Sequence, residues 1–290
     1  MGKIVRCISE DGVLTCMAAD TTDIVQEAHR IHGTSNVCSA ALGRLLTASS
    51  FMGAALKGRD DSVTLRMNGN GPAGSVIAVS DAFGNVRGYV THPAVELPIR
   101  KDGKLDVSGA IGTDGNLTVI KDLGMKDPYV GQVPIVSGEV AEDMTSYFAV
   151  SEQVPTVCAL GVLCDPDTHN IITAGGFLIQ LLPTADDSTI DAVEEGLKDV
   201  RPVTAMLSEG MTPEEICHAV LPKFNMEVLD EQDTAYKCAC SKARVEKALI
   251  SLGSQELEKM AEDEQTEVDC TFCHKKYTFT PAEIRRLAGV

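Results

Sequence analysis

CACSKARVEKALISLG, residues 238–253, and CTFCHKKYTF, residues 270–279, decide how the last fifth of this chain folds. The first opens with two cysteines one residue apart and runs into a helical pattern. Val245, Ala248, Leu249 and Leu252 share one face, Ser241 is placed to cap it and Gly253 to stop it. The second carries a Cys-x-x-Cys pair and a strand-like KYTF. Thr280-Pro281-Ala282-Glu283 follows, a capping box with proline at the first helical position. A disulfide between cysteines as near as Cys238 and Cys240 closes a small, strained ring, so that pair reads poorly by itself. Joined by Cys270 and Cys273 across twenty-nine intervening residues, it becomes half of a four-thiol set. Four thiolates are what a closed tetrahedral zinc site needs, with Zn–S bonds of ~2.3 Å.

Energetics favour that grouping. A module of roughly 55 residues draws at best ~3–5 kcal/mol from its own core. A structural zinc site adds an apparent ~10–16 kcal/mol at neutral pH, so the metal decides whether such a module is folded. Cys240 precedes a helix N-terminus, whose partial positive charge favours thiolate. Lys237, Lys242, Lys275 and Lys276 flank the pairs and are expected to offset their negative charge. The expected site is one Zn2+ per chain on Cys238, Cys240, Cys270 and Cys273, lost on oxidation because thiolates that become disulfides no longer hold metal.

Other readings of these cysteines are weaker. Cys270-Thr-Phe-Cys273-His274 spells the attachment motif of c-type haem, but that chemistry needs export. The start, MGKIVRCISEDG, has no apolar run after its few charges, so no export signal is expected. His274 is an alternative ligand that four cysteines make unnecessary. A thioredoxin-like exchange enzyme would carry a single pair in a β-α-β setting. A zinc ribbon on nucleic acid would want a basic face, whereas residues 231–290 hold nine Lys and Arg against eleven Asp and Glu. A zinc-dependent binding module without a redox role is a further alternative.

Composition narrows the rest. A net charge of −17 repels phosphate backbones and anionic lipid, so nucleic acid and membranes are not expected partners. Trp is absent and aromatics are 4%, too few for a base-stacking platform. VCSAALGRLLTASSFMGAAL, residues 37–56, carries Arg44 and several Ser and Thr and reads as a buried small-residue helix. Ten cysteines without an export signal point to a reducing cytosol. Cys7, Cys16, Cys38, Cys158, Cys164 and Cys217 are scattered among apolar neighbours and are expected as small buried hydrophobes.

The chain divides by character into an α+β core domain (1–182), an acidic helical linker (183–235) and the cysteine module (236–290). In the core, KIVRCIS and VLTCMAA form a hairpin around Glu10–Gly12. A helix over TTDIVQEAHRIH follows, then the small-residue helix from Asn36, then short strands separated by Gly, Asn and Asp turns. Clustered strands with few helices between them indicate α+β. Gly69-Asn-Gly71-Pro-Ala-Gly74 matches a dinucleotide-site pattern, but a strand-like run follows it, so it reads as a hairpin loop. His29, His32, His92, His169 and His218 are isolated, and no catalytic set stands out. Residues 183–230 hold eleven Asp and Glu against three Lys and Arg. Two short amphipathic helices are expected there, one through Ile190, Val193 and Leu197 and one opened by the capping box Thr212–Glu215, both needing a docking face.

YFAVSEQVPT (147–156), GGFLIQLLP (175–183), CACSKARVEKALISLG and CTFCHKKYTF together resemble the 33 kDa heat-shock chaperone family, redox-regulated cytosolic holdases of bacteria. The resemblance covers essentially the whole chain. It implies a non-enzymatic, ATP-independent chaperone, inactive while reduced and zinc-bound. It further implies that oxidation joins Cys238 to Cys240 and Cys270 to Cys273, releases zinc and unfolds the module and then the linker. Unfolding proteins would then be bound, usually by a homodimer.

Overall fold

The computed structural model describes residues 1–289, in two compact units, Met1–Tyr236 and Lys237 to the C-terminus. In chain order the first unit opens with β1 (Gly2–Ser9), β2 (Leu14–Asp20), α1 (Thr22–His32) and α2 (Asn36–Ala54). It continues with β3 (Ser62–Asn68), β4 (Val76–Asp81), β5 (Val86–Val90), α3 (Val107–Ile111), β6 (Asn116–Asp122) and β7 (Tyr129–Pro134). After α4 (Ala141–Tyr147) and a π-helical turn (Phe148–Glu152) come β8 (Thr156–Cys164) and β9 (Ile171–Leu181). The unit closes with α5 (Asp187–Leu197), α6 (Val203–Ser208), α7 (Pro213–Val220) and β10 (Met226–Thr234). The fold is α+β.

Two five-stranded sheets form, ordered β10-β1-β2-β9-β8 and β5-β4-β3-β6-β7, and every strand pair is antiparallel. α2 packs against strands of both sheets, and sixteen of its nineteen residues are buried. Small residues make this fit possible. Gly53 lies against the backbone of Asp81, and Gly43 leaves room only for Val25 and Val162. Length and composition alone would let α2 cross a membrane, but 89% of the qualifying window is buried inside the unit. The Gly69–Gly74 segment joins β3 to β4, as a hairpin loop should. Its backbone lies close on α3, with the Gly71 N–H donating to the Ile111 carbonyl at 2.8 Å. α3, only five residues long, has no apolar periodicity to announce it.

The first sheet is covered on both faces, so its strands carry apolar side chains on successive residues. Ile4, Met17, Ala19 and Leu178 join the core around α2. Val5, Cys7, Leu14, Cys16, Ala18, Phe177 and Ile179 face the other way. Over that second face pack Val193 of α5, Val203 and Met206 of α6, and Ile216, Cys217 and Val220 of α7.

Residues 183–235 therefore hold three helices where two were expected, followed by a strand that was not expected. The capping box at Thr212–Glu215 opens α7, with both reciprocal hydrogen bonds made. β10 reads MEVLDEQDT, mostly exposed and acidic, with no apolar alternation to mark it. It is a strand because its backbone pairs with β1, aided by ion pairs of Lys3 with Glu231 and Arg6 with Asp230.

Gly53→Ala tests the close seat of α2. The added Cβ would fall inside contact distance of the Ser80 hydroxyl and the Asp81 carbonyl, and backbone cannot move aside cheaply. Overpacking of this kind costs ~1–3 kcal/mol. Urea unfolding should show that loss in the midpoint, with the slope unchanged.

Candidate metal centre

The second unit is α8 (Lys242–Ile250), α9 (Ser254–Met260), the hairpin β11 (Thr266–Asp269) and β12 (Lys276–Phe279), and α10 (Pro281–Ala288). Among its described residues only Leu249, Leu257, Ala261, Tyr277, Phe279 and Ile284 form a buried core. Ser241 caps α8, its side chain accepting from the Arg244 N–H at 3.3 Å, so Cys238 and Cys240 lie in the extended approach to that helix. Cys270 and Cys273 lie in the turn between β11 and β12. There the Cys270 N–H donates to the Lys275 carbonyl at 3.0 Å, and the Cys270 carbonyl accepts from Cys273 and His274 at 3.3 and 2.8 Å. His274 takes φ of 55°, the left-handed conformation that lets so tight a turn close.

The turn and the approach to α8 bring all four thiols together. Their sulfur atoms lie within 4.8 Å of one another, a group that can hold a metal ion. Cys238 and Cys270 Sγ are 3.7 Å apart, and Cys240 and Cys273 Sγ 3.4 Å. A tetrahedron with bonds of ~2.3 Å has edges of ~3.8 Å, so the spacing suits zinc and no other ligand is needed. His274 is not in the group.

The thiols differ in acidity. Burial pushes Cys238 up to about 12. Burial also opposes ionisation of Cys240, but the Tyr277 O–H, donating to its Sγ at 3.1 Å, and the neighbouring thiols outweigh it and bring Cys240 down to about 7. Cys273 is raised, chiefly by burial. Tyr277, raised to about 12 by that same hydrogen bond, is the partner sequence reasoning missed. KYTF signalled a strand, and nothing in it said where the phenol would point.

Three of the flanking lysines engage carboxylates and rings inside the module. Lys242 pairs with Glu283 at 2.6 Å and sits over the Phe279 ring. Lys276 pairs with Glu267, and Lys275 lies over the ring of Tyr277. They brace the module, because a flexible ammonium goes to the nearest carboxylate or ring face. Of the histidines, His92 bonds the Pro72 carbonyl, His169 the Asn36 side chain and His29 the hydroxyls of Thr34 and Ser39.

The family model described as Hsp33 protein matches residues 2–280. The chain belongs to the Hsp33 family. A 33 kDa chaperonin of Bacillus cytotoxicus is 47% identical over 98% of this chain and 97% of its own length. One from Clostridium beijerinckii is 46% identical over 98% and 97%. The crystal structure of the 33 kDa chaperonin from Thermotoga maritima superposes with a TM-score of 0.90 at 35% identity, covering 99% of this chain and 97% of that one. Membership of the Hsp33 family supports a chaperone role for the chain.

Two substitutions probe the cap that closes the module. Thr280→Ala removes a capping box whose two halves are both formed, and should cost the second unit ~1 kcal/mol in chemical unfolding. Glu283 is held at about 2, first by Lys242 and then by the Thr280 N–H. A carboxyl lowered in the folded state contributes stability above its unfolded value of 4.5, lost as pH falls toward about 2. Glu283→Gln should flatten the acid limb of the unit's stability curve in that window, read by circular dichroism.

Proposed function

We propose that this protein is a redox-regulated, ATP-independent holdase of the cytosol. It is off while Cys238, Cys240, Cys270 and Cys273 are reduced and hold one Zn2+, and on once they are oxidised. The observation that carries the reading is the convergence of four thiols in a unit whose described residues include only six in a buried apolar core, within a family of chaperones. Bound zinc would supply the cross-link that so small a core lacks.

The residues themselves do the rest. Cys240, whose acidity is raised by the Tyr277 hydroxyl and the neighbouring thiols, is placed to react first with an oxidant. Disulfides within the pairs 238–240 and 270–273 use up all four ligands, and the unit then loses its cross-link. Residues 183–235 act as a docked linker joined directly to that unit. Its helices, of eleven, six and eight residues, are too short to persist alone and rely on the sheet beneath them. Once they leave, Val5, Leu14, Ala18, Phe177 and Ile179 offer an apolar patch to unfolding proteins. The net charge of −17 keeps the opened protein and its client soluble. The active form is a homodimer, the partners are unfolding proteins, and neither nucleic acid nor membrane is engaged. No step calls for catalysis.

Zinc content and free thiols, counted together before and after mild peroxide treatment, test the switch: one zinc and four thiols should disappear together. The oxidised protein should then suppress light scattering from a heat-unfolding client better than the reduced protein does, and equal suppression sinks the reading. Cys270→Ser or Cys238→Ser should lose zinc and melt the second unit, while the core around α2 in the first unit keeps its own unfolding transition. Peptide mapping should find links within pairs; a Cys238–Cys270 link would reject that pairing.

A further inference from the structure

Three of the six remaining cysteines meet at one place. Strand register sets Cys7 of β1 directly opposite Cys16 of β2, on the face that α5–α7 cover. α7 crosses these two strands and carries Cys217, whose Sγ lies 3.9 Å from the Cys16 carbonyl oxygen. All three are fully buried, in one cluster with Val5, Leu14, Ile216 and Val220. Their positions, 7, 16 and 217, gave no hint of this meeting. A metal nest is not formed: among the described residues, only the C-terminal four bring three or more ligand atoms within 4.8 Å of one another.

We propose that Cys7, Cys16 and Cys217 form a second thiol site, in which Cys217, oxidised with either strand cysteine, becomes a covalent latch fastening α7 to the β1–β2 hairpin. The site is silent while α7 is docked. The Cys217 thiol and burial hold Cys7 well above the usual thiol range, and Cys217 is raised chiefly by the adjacent Cys16 thiol and also by burial. Neutral, enclosed thiols do not react with peroxide. They become available only when α7 lifts away.

The oxidant is hydrogen peroxide. The Cys217 thiolate attacks the O–O bond; an S–O bond forms, hydroxide leaves, and with the thiol's proton it becomes water. A sulfenic acid remains. When α7 settles back, the thiol of Cys7 or Cys16 attacks that sulfur, the S–S bond forms, the S–O bond breaks and a second water leaves. Two thiols have given up two electrons and two protons, and one peroxide has become two waters. The result is the reverse of the first switch: oxidation at the C-terminal thiols opens, while oxidation here shuts. Both the latch, which forms only after α7 lifts, and this consequence rest on the proposed release of α5–α7.

The test uses the full chain, reduced and zinc-loaded, then exposed to peroxide under mild heat for increasing times. Non-reducing digestion and mass spectrometry should find Cys217 joined to Cys7 or Cys16, appearing after the C-terminal thiols are lost. The linked protein should melt higher than the reduced one, because a link spanning so many residues restricts the unfolded chain, and dithiothreitol should reverse the shift. Cys217→Ala should form no link and should keep its holdase activity through long oxidation, while the wild-type protein loses it. If Cys217→Ala folds poorly, the double variant Cys7→Ala, Cys16→Ala asks the same question from the other side. Recovery of Cys217 as a free thiol, as a sulfinic acid or joined to a C-terminal cysteine overturns the latch. If the oxidised chain never suppresses aggregation, the holdase reading fails, while the peptide link still decides the latch by itself.

Discussion

A hydrophobic core of six described side chains is the constraint around which the C-terminal unit is arranged. So little buried surface cannot offset the conformational entropy of fifty-odd ordered residues. Its stabilising contacts are therefore polar and local: two-sided capping at α10, a hairpin of four pairs, lysines shared between carboxylates and aromatic rings, and a group of four thiols. Each of the local contacts is worth about a kilocalorie or less. Only the thiol group can anchor something larger.

The first unit is arranged on the opposite principle. α2 is enclosed between two sheets, and its small residues let both approach, so that part of the chain carries a large and continuous core. The outer face of the first sheet is covered differently, by three short helices in an acidic stretch. Their packing is apolar, but none of them is long enough to stand alone. That cover is held by its packing on the sheet more than by the helices themselves. The thiols of Cys7, Cys16 and Cys217 lie beneath that cover.

Much of this was legible in the residues, and the misses have physical causes. Caps are local, so Ser241, Thr212 and Thr280 marked true helix starts. The four cysteines could be grouped because four thiols answer a known coordination number. β10 escaped because an edge strand with both faces wet needs no apolar alternation, only a neighbour's backbone. α3 and α6, of five and six residues, are too short for a period to show. The carboxylates and rings that Lys242, Lys275 and Lys276 engage could not be read from proximity in sequence, because the fold brings them near.

By itself the sequence determined the fold class, the buried helix, the family resemblance and the four cysteines at the candidate site, because these rest on composition, short-range spacing and local capping. The tertiary structure alone decided which groups meet across long separations. It set the Tyr277 phenol on Cys240, returned β10 to the edge of the first sheet, and stacked Cys217 over Cys7 and Cys16. Such meetings depend on strand register and helix docking. Those are fixed by the whole core together, and no single stretch of residues encodes them.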